Sequence, residues 1–284
     1  MRHLIFLTLC AGAFGLSACE KSGDSEVERA LRDLNVVDES NLNDVMLTVG
    51  DPNEAVAYFT RANASDPGRI DLQRGLAKSL IRAGRSPEAA TAWGVVVTHP
   101  DANNDDRVEL ADALIRNNRW DDAAGALNTI PPTYETFKRY RLEAMVADSK
   151  KQWTKADSFY ETAASLTTRP ASVYNNWGFS KLTRGDYPAA ERLFIDALRY
   201  DGDIFTAKNN LVLARGAQRN YALPVIPMTQ IERAQLLHTM ALAAIKQNDV
   251  TIGKSLLNDA IETHPQFFPE AVRALEALES NVVN

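Results

Sequence analysis

One cysteine carries the clearest chemistry in the sequence. Cys10 and Cys19 are the chain's two cysteines, and everything from Glu20 to Asn284 lacks the residue. The folded part therefore offers no disulfide framework, thiolate nucleophile or cysteine metal site. Leu16-Ser17-Ala18-Cys19 places an aliphatic residue and two small ones before a thiol. The small residues let a peptidase approach, and the thiol is the atom that takes the lipid. Ahead of it lie Arg2, His3 and the apolar run 4–16, long enough for an export signal and too short to span a bilayer. The pattern matches a bacterial lipobox. It predicts a signal peptide over 1–18, a palmitate-type acylated Cys19 and a polar tether over 19–35. A lipid anchor contributes about 0.8 kcal/mol per buried methylene. Residue 20 is Glu rather than Asp, which favours the periplasmic face of the outer membrane.

The other reactive types read as architecture. His99-Pro100 and His264-Pro265 occupy equivalent turns, and His3 lies in the signal. The run 101–105 has the acidic look of a calcium loop, but Asp106 stands where such a loop needs Gly and Asp112 where it needs Glu. It reads instead as the cap of a helix starting near Asn104. No phosphate loop, nucleophile elbow or paired-carboxylate pocket stands out, so the reading is non-enzymatic, with no metal and no cofactor. A formal net charge of −6 from 31 basic and 37 acidic residues argues against nucleic acid.

What must position these residues is a repeat. Small residues recur at Ala55, Ala89, Ala123, Ala156 and Ala190, spaced 34, 34, 33 and 34, with Gly253 later. Four residues on come Phe59, Trp93, Leu127, Tyr160, Phe194 and Leu257, and three further Ala62, Val96, Ile130, Ala163, Ala197 and Ala260. Thirteen before the small residue stand Leu42, Leu76, Leu110, Glu143, Trp177 and Met240. The positions beside these are Asn43, Ala77, Ala111, Ala144, Gly178 and Ala241. Small residues belong where antiparallel helices approach closely, and large ones fill the groove between repeats. Gly50, Gly84 and Gly185 are expected to end first helices in the left-handed region. Asp51-Pro52 and Ser86-Pro87 are expected to start second helices, as cap and first helical residue.

The period and columns resemble the tetratricopeptide repeat (TPR) family, which implies an all-α, right-handed superhelical solenoid of helix-turn-helix repeats. The register predicts an array over 36–218, made of about five repeats plus one further first helix. The segment 219–231 breaks it, because Pro224 and Pro227 fall where a second helix is due. A C-terminal repeat and capping helix follow over 232–284. The break reads either as a degenerate repeat or as a partner-binding or hinge segment.

The family's register implies a concave face made of first-helix residues. It includes Arg74, Lys78, Arg82, Arg116, Lys138, Arg141, Asn175, Asn176, Phe179, Asn209 and Asn210. Asn176 and Asn210 are 34 apart, and in some TPR families asparagines there bond an extended peptide's backbone. A side-chain amide both donates and accepts, as a peptide unit requires. The layout of lipobox, tether, repeats and broken copy resembles the TadD-type lipoproteins of tight-adherence (Flp) pilus systems. The resemblance implies a scaffold that assembles or localises the outer-membrane secretin and pilus machine, acting like a pilotin. The alternative is an adaptor for a type IV pilus secretin, cell-wall synthesis or outer-membrane protein assembly.

Overall fold

The computed structural model describes residues 42–280. The expected signal, lipidation at Cys19 and tether lie outside the described residues. Among the described residues every regular element is a helix. None is long and apolar enough to cross a membrane. The described residues divide into two compact units, 42–92 and 93–280.

The first unit holds α1 (42–48), α2 (Pro52–Ser65), α3 (Ile70–Arg82) and the start of α4 (Ser86–Val96). Asp51 caps α2 by accepting from the Asn53 and Glu54 amides, with Pro52 at the first helical position. Ser86 is already helical, so the second expected cap lies one residue inside its helix. Helix α2 packs on α3 where Gly75 opens a slot for the Phe59 ring. Asn43, a poor fit to its column, is buried and accepts from the Tyr58 hydroxyl at 2.9 Å.

The second unit continues with α5 (Asn104–Arg116), α6 (Trp120–Asn128), α7 (Phe137–Ser149), α8 (Trp153–Ser165), α9 (Ala171–Thr183) and α10 (Tyr187–Tyr200). After α11 (Phe205–Ala217) come α12 (Gln230–Lys246), α13 (Val250–Thr263) and α14 (Pro269–Ser280). Helices α5, α7, α9 and α12 each pack on the helix that follows, and α5, α7, α9 and α11 also touch in sequence. The columns account for the core: Ala123, Ala156, Ala190, Leu127, Tyr160, Phe194 and Leu257 are all buried. Glu143 departs from its column because the neighbouring Leu142 is buried in its place. Glu143 instead pairs with Arg139, whose guanidinium also donates to the carbonyls of Pro131 and Tyr134 and ties down the long α6–α7 connection. Asn103 and Asp106 form a reciprocal capping box on α5.

One column escapes composition. Gly84, Asn118, Lys151, Gly185, Arg219 and Asn248 all have positive φ, at 71°, 55°, 56°, 83°, 58° and 66°. In each case the next residue's amide donates to the carbonyl four residues before that left-handed residue, at 2.9 or 3.0 Å. This is the Schellman termination of a first helix, and it recurs even without glycine. Gly50 does not join it, since the left-handed glycines are Gly84 and Gly185. A left-handed non-glycine residue costs roughly 1–2 kcal/mol. Gly185→Ala is therefore expected to lower stability by about 1 kcal/mol and Lys151→Gly to be neutral or stabilising, as thermal melts would show. A loss of stability in Lys151→Gly equal to that in Gly185→Ala would contradict this.

The column also explains the break. Its spacing is 34, 33, 34 and 34 to Arg219, then 29 to Asn248. Residues 218–229 form no helix and stand where a second helix is due. They are nonetheless packed. Tyr221, Leu223 and Met228 lie on the core of α12, α13 and α14. Ile226 lies on the cluster of Ala190, Phe194, Leu211 and Ala214. Pro224 is buried, while Val225 is fully exposed. Arg219 and Tyr221 bind Asp249. Helix α12, at 17 residues, is longer than the 13 of α11, and a Thr229–Glu232 capping box starts it. An extended strap thus does the packing of the missing helix.

Candidate functional site

The asparagines come together in the second unit. Asn175, Asn176 and Asn210 line one cavity of about 400 Å³, with Trp120, Met145, Asp148, Trp153, Phe179 and Thr206 among its walls. Position explains the grouping. Residues 175, 176 and 179 lie on one side of α9, and 206 and 210 one turn apart on α11. Asn210 is buried and donates to Asn175 Oδ1 at 3.4 Å. Asn176 Nδ2 lies 3.4 Å from Met145 Sδ. Asn175 Nδ2 and the Oδ1 atoms of Asn176 and Asn210 remain open, so the cavity offers both a donor and acceptors.

The other expected residues are used differently. Asn209 lies about 100° around α11 from Asn210 and lines a second cavity with Phe205, His238 and Phe267. Its Oδ1 accepts from Thr239 at 2.8 Å. Arg116 pairs with Asp112 at 3.1 Å, and Lys138 with Glu109 and Asp112. Arg141 donates to Ser172 Oγ at 3.3 Å. In the first unit, Lys78 is exposed and Arg74 half-buried. Arg82 donates to the carbonyls of Met46 and Gly50, both at 2.7 Å, and so caps α1.

Two polar centres stiffen the floor of the first cavity. Asp148 accepts from Ser180 Oγ at 2.7 Å and from the buried Tyr160 hydroxyl at 2.9 Å. Burial pushes its carboxyl above the ordinary value, and the two hydrogen bonds oppose that. Behind it Asp157 accepts from Trp177 Nε1 at 2.6 Å, Lys181 at 3.0 Å and Arg184 at 2.5 Å. Burial raises this carboxyl too, but those three donors hold it below the usual range.

Trp120, Trp153 and Asp148 were not read as site residues from the sequence, yet a signal existed. Ser86, Trp120, Trp153 and Tyr187 each open a second helix and are spaced 34, 33 and 34. The two tryptophans of that column both line the cavity.

Residues 46–92 match the tetratricopeptide repeat family model. The comparison with curated proteins returned no match. Among solved structures, the chain is similar to the APC/C hetero-tetramer Cut9–Hcn1 at 13% identity and a TM-score of 0.60, covering 83% of this chain and 48% of that one. It is also similar to a tetratricopeptide repeat protein from Parabacteroides merdae at 12% identity and a TM-score of 0.57, covering 84% and 96%. A third likeness is to the C-terminal part of a TPR repeat-containing protein from Cytophaga hutchinsonii, at 14% identity and a TM-score of 0.50, covering 83% and 98%. The chain thus spans about half the length of the Cut9–Hcn1 chain it matches. With the helix order and the periodic terminations, these findings define the fold as an all-α TPR solenoid.

Proposed function

We propose that the protein is a non-catalytic scaffold that binds an extended segment of a partner protein on the α7, α9 and α11 face. The observation that carries the reading is the cavity with open amide donor and acceptor atoms on Asn175, Asn176 and Asn210. A peptide backbone presents both kinds of group, and a cavity lacking one would leave half of them unpaired. Asn176 is half-buried, and its side-chain amide reaches Met145 Sδ. Asn176→Ala is therefore expected to weaken partner binding about tenfold, the scale of one lost hydrogen bond. The thermal midpoint should stay within about 2 °C of the parent, as for a change off the core. Binding measured by titration and a melt on the same sample check this. A collapsed melt would mean the asparagine is structural.

The lipobox supports a tether at Cys19, with the protein on the periplasmic face of the outer membrane. The TadD-like layout supports work on the secretin of a tight-adherence pilus. Cys19→Ser is expected to abolish lipid labelling and release the mature chain into the periplasm. Unchanged membrane fractionation would refute the anchor. A clean deletion is expected to remove surface Flp fibres and reduce SDS-resistant secretin multimers. Normal fibres would refute the pilus role and leave the scaffold reading standing.

A further inference from the structure

We infer that the asparagine-lined cavity takes a lysine or arginine side chain of the bound segment, with the cation facing Asp148 between aromatic walls. This rests on the peptide-binding reading above and names which peptide the site prefers. Trp120, Trp153, Tyr160 and Phe179 supply four rings, and Asp148 is the only formal charge among the lining residues. Each carboxylate oxygen of Asp148 accepts one hydrogen bond, from Ser180 or Tyr160. A carboxylate has roughly four acceptor positions, so both oxygens keep capacity.

The nearby cations are engaged elsewhere. Lys181 and Arg184 close on Asp157, and Lys181 also lies 3.9 Å from Asp186. Arg141 reaches Ser172. Arg184 acts on Asp148 without pairing with it. Asp148 is thus a half-buried anion at an open cavity without an ion-pair partner.

The choice of occupant follows from what each would do to that anion. An apolar side chain would remove further water from the carboxylate and return nothing, which is unfavourable. An acidic side chain would add like-charge repulsion to the same loss. A cation restores the lost solvation, and its stem lies against the rings. The Trp153 ring already carries one cation, because the Arg184 guanidinium lies 5.5 Å from its centroid. The chain's net charge of −6 adds attraction at longer range.

The test uses a random heptapeptide library displayed on phage, selected against the full mature chain and against Asn176→Ala in parallel. Peptides recovered by the parent and lost with Asn176→Ala are expected to share a basic residue at one position. A synthetic peptide of that sequence is then compared with its norleucine analogue at the basic position, which keeps the stem and deletes the charge. Loss of the charge is expected to weaken binding to the parent about tenfold. Asp148→Asn should weaken the basic peptide by a similar factor, and the two changes together should cost little more than either alone. The norleucine comparison stands on the ligand side and so decides the matter even if Asp148→Asn unfolds. Asn176-dependent peptides without a basic position, or equal binding of the norleucine analogue, would overturn the cation site and leave the groove reading intact. Recovery of no Asn176-dependent peptide would overturn both.

Discussion

Glu232→Ala is expected to lower stability by about 3–5 kcal/mol, the usual cost of removing one partner from a buried ion pair. On a chain of this size that is roughly 10 °C in thermal midpoint. Lys208 is 2% exposed and its ammonium lies 2.9 Å from Glu232 Oε1. Glu232 also accepts from the Thr229 amide at 2.7 Å and closes the capping box that starts α12. The pair therefore joins α11 to α12 across the strap, where no second helix does so. The two ends are unequal, since the Glu232 side chain is 20% exposed and the Lys208 side chain 3%. Lys208→Met should cost markedly less than Glu232→Ala, because the carboxylate it leaves can still meet water and Thr229. The bonds from Thr229 and Lys208 hold the Glu232 carboxyl below its ordinary value of 4.5. A carboxyl depressed in the folded state contributes stability that is present above its unfolded value and lost as pH falls through the folded one. Melts between pH 7 and pH 3 should thus show a steeper acid loss in the parent than in Glu232→Gln. Parallel acid losses, or equal costs for Lys208→Met and Glu232→Ala, would contradict the role given to this pair.

Gly178→Ala is expected to destabilise although alanine is the better helix former by about 1 kcal/mol. A Cβ there would lie 2.7 Å from Phe194 Cε1 and 2.8 Å from Cδ1. The ring is completely buried and packs with Ala190, Leu211 and Ala214, so it has no room to yield. Overpacking of this kind costs typically 1–3 kcal/mol. The sign separates the two influences, because an uncrowded site would gain from the exchange. Phe194→Leu, itself destabilising, should absorb part of the clash. The double variant should then be less destabilised than the sum of the singles, as coupling between touching residues requires. A stabilised Gly178→Ala, or strict additivity, would contradict the close approach of α9 and α10.

The fold was legible because its determinants are periodic and local. Ala123, Ala156 and Ala190 had to be small, and Tyr160 and Phe194 large, wherever the helices lay, and burial follows those columns. The strap was less legible. Pro224 and Pro227 forbid a helix, but nothing local says that Ile226 and Met228 will stand in for one, since their partners lie far along the chain. The first-helix terminations were half hidden, because glycine marks only Gly84 and Gly185. Lys151 and Arg219 take the left-handed conformation under the constraint of the hairpin. For the site, spacing of 34 put Asn176 and Asn210 on one cavity, whereas the one-residue step to Asn209 turned it to the other flank of α11. Arg82 shows the limit of register: it is on the expected helix, but its guanidinium serves the end of α1. Trp120 and Trp153 enter from the starts of second helices, which a reading confined to first-helix faces passes over.

The central claim is that the α9–α11 face, rather than any other surface, holds a partner. A photo-crosslinking residue at Phe179, which is 51% exposed and lines the cavity, tests it in the producing cell. The same residue placed at Tyr200, 58% exposed on α10, serves as control. The expected result is one discrete crosslinked protein from position 179 that is absent from position 200 and disappears when Asn176→Ala is added. No adduct at 179, the same adduct at both positions, or an adduct indifferent to Asn176→Ala would contradict the account.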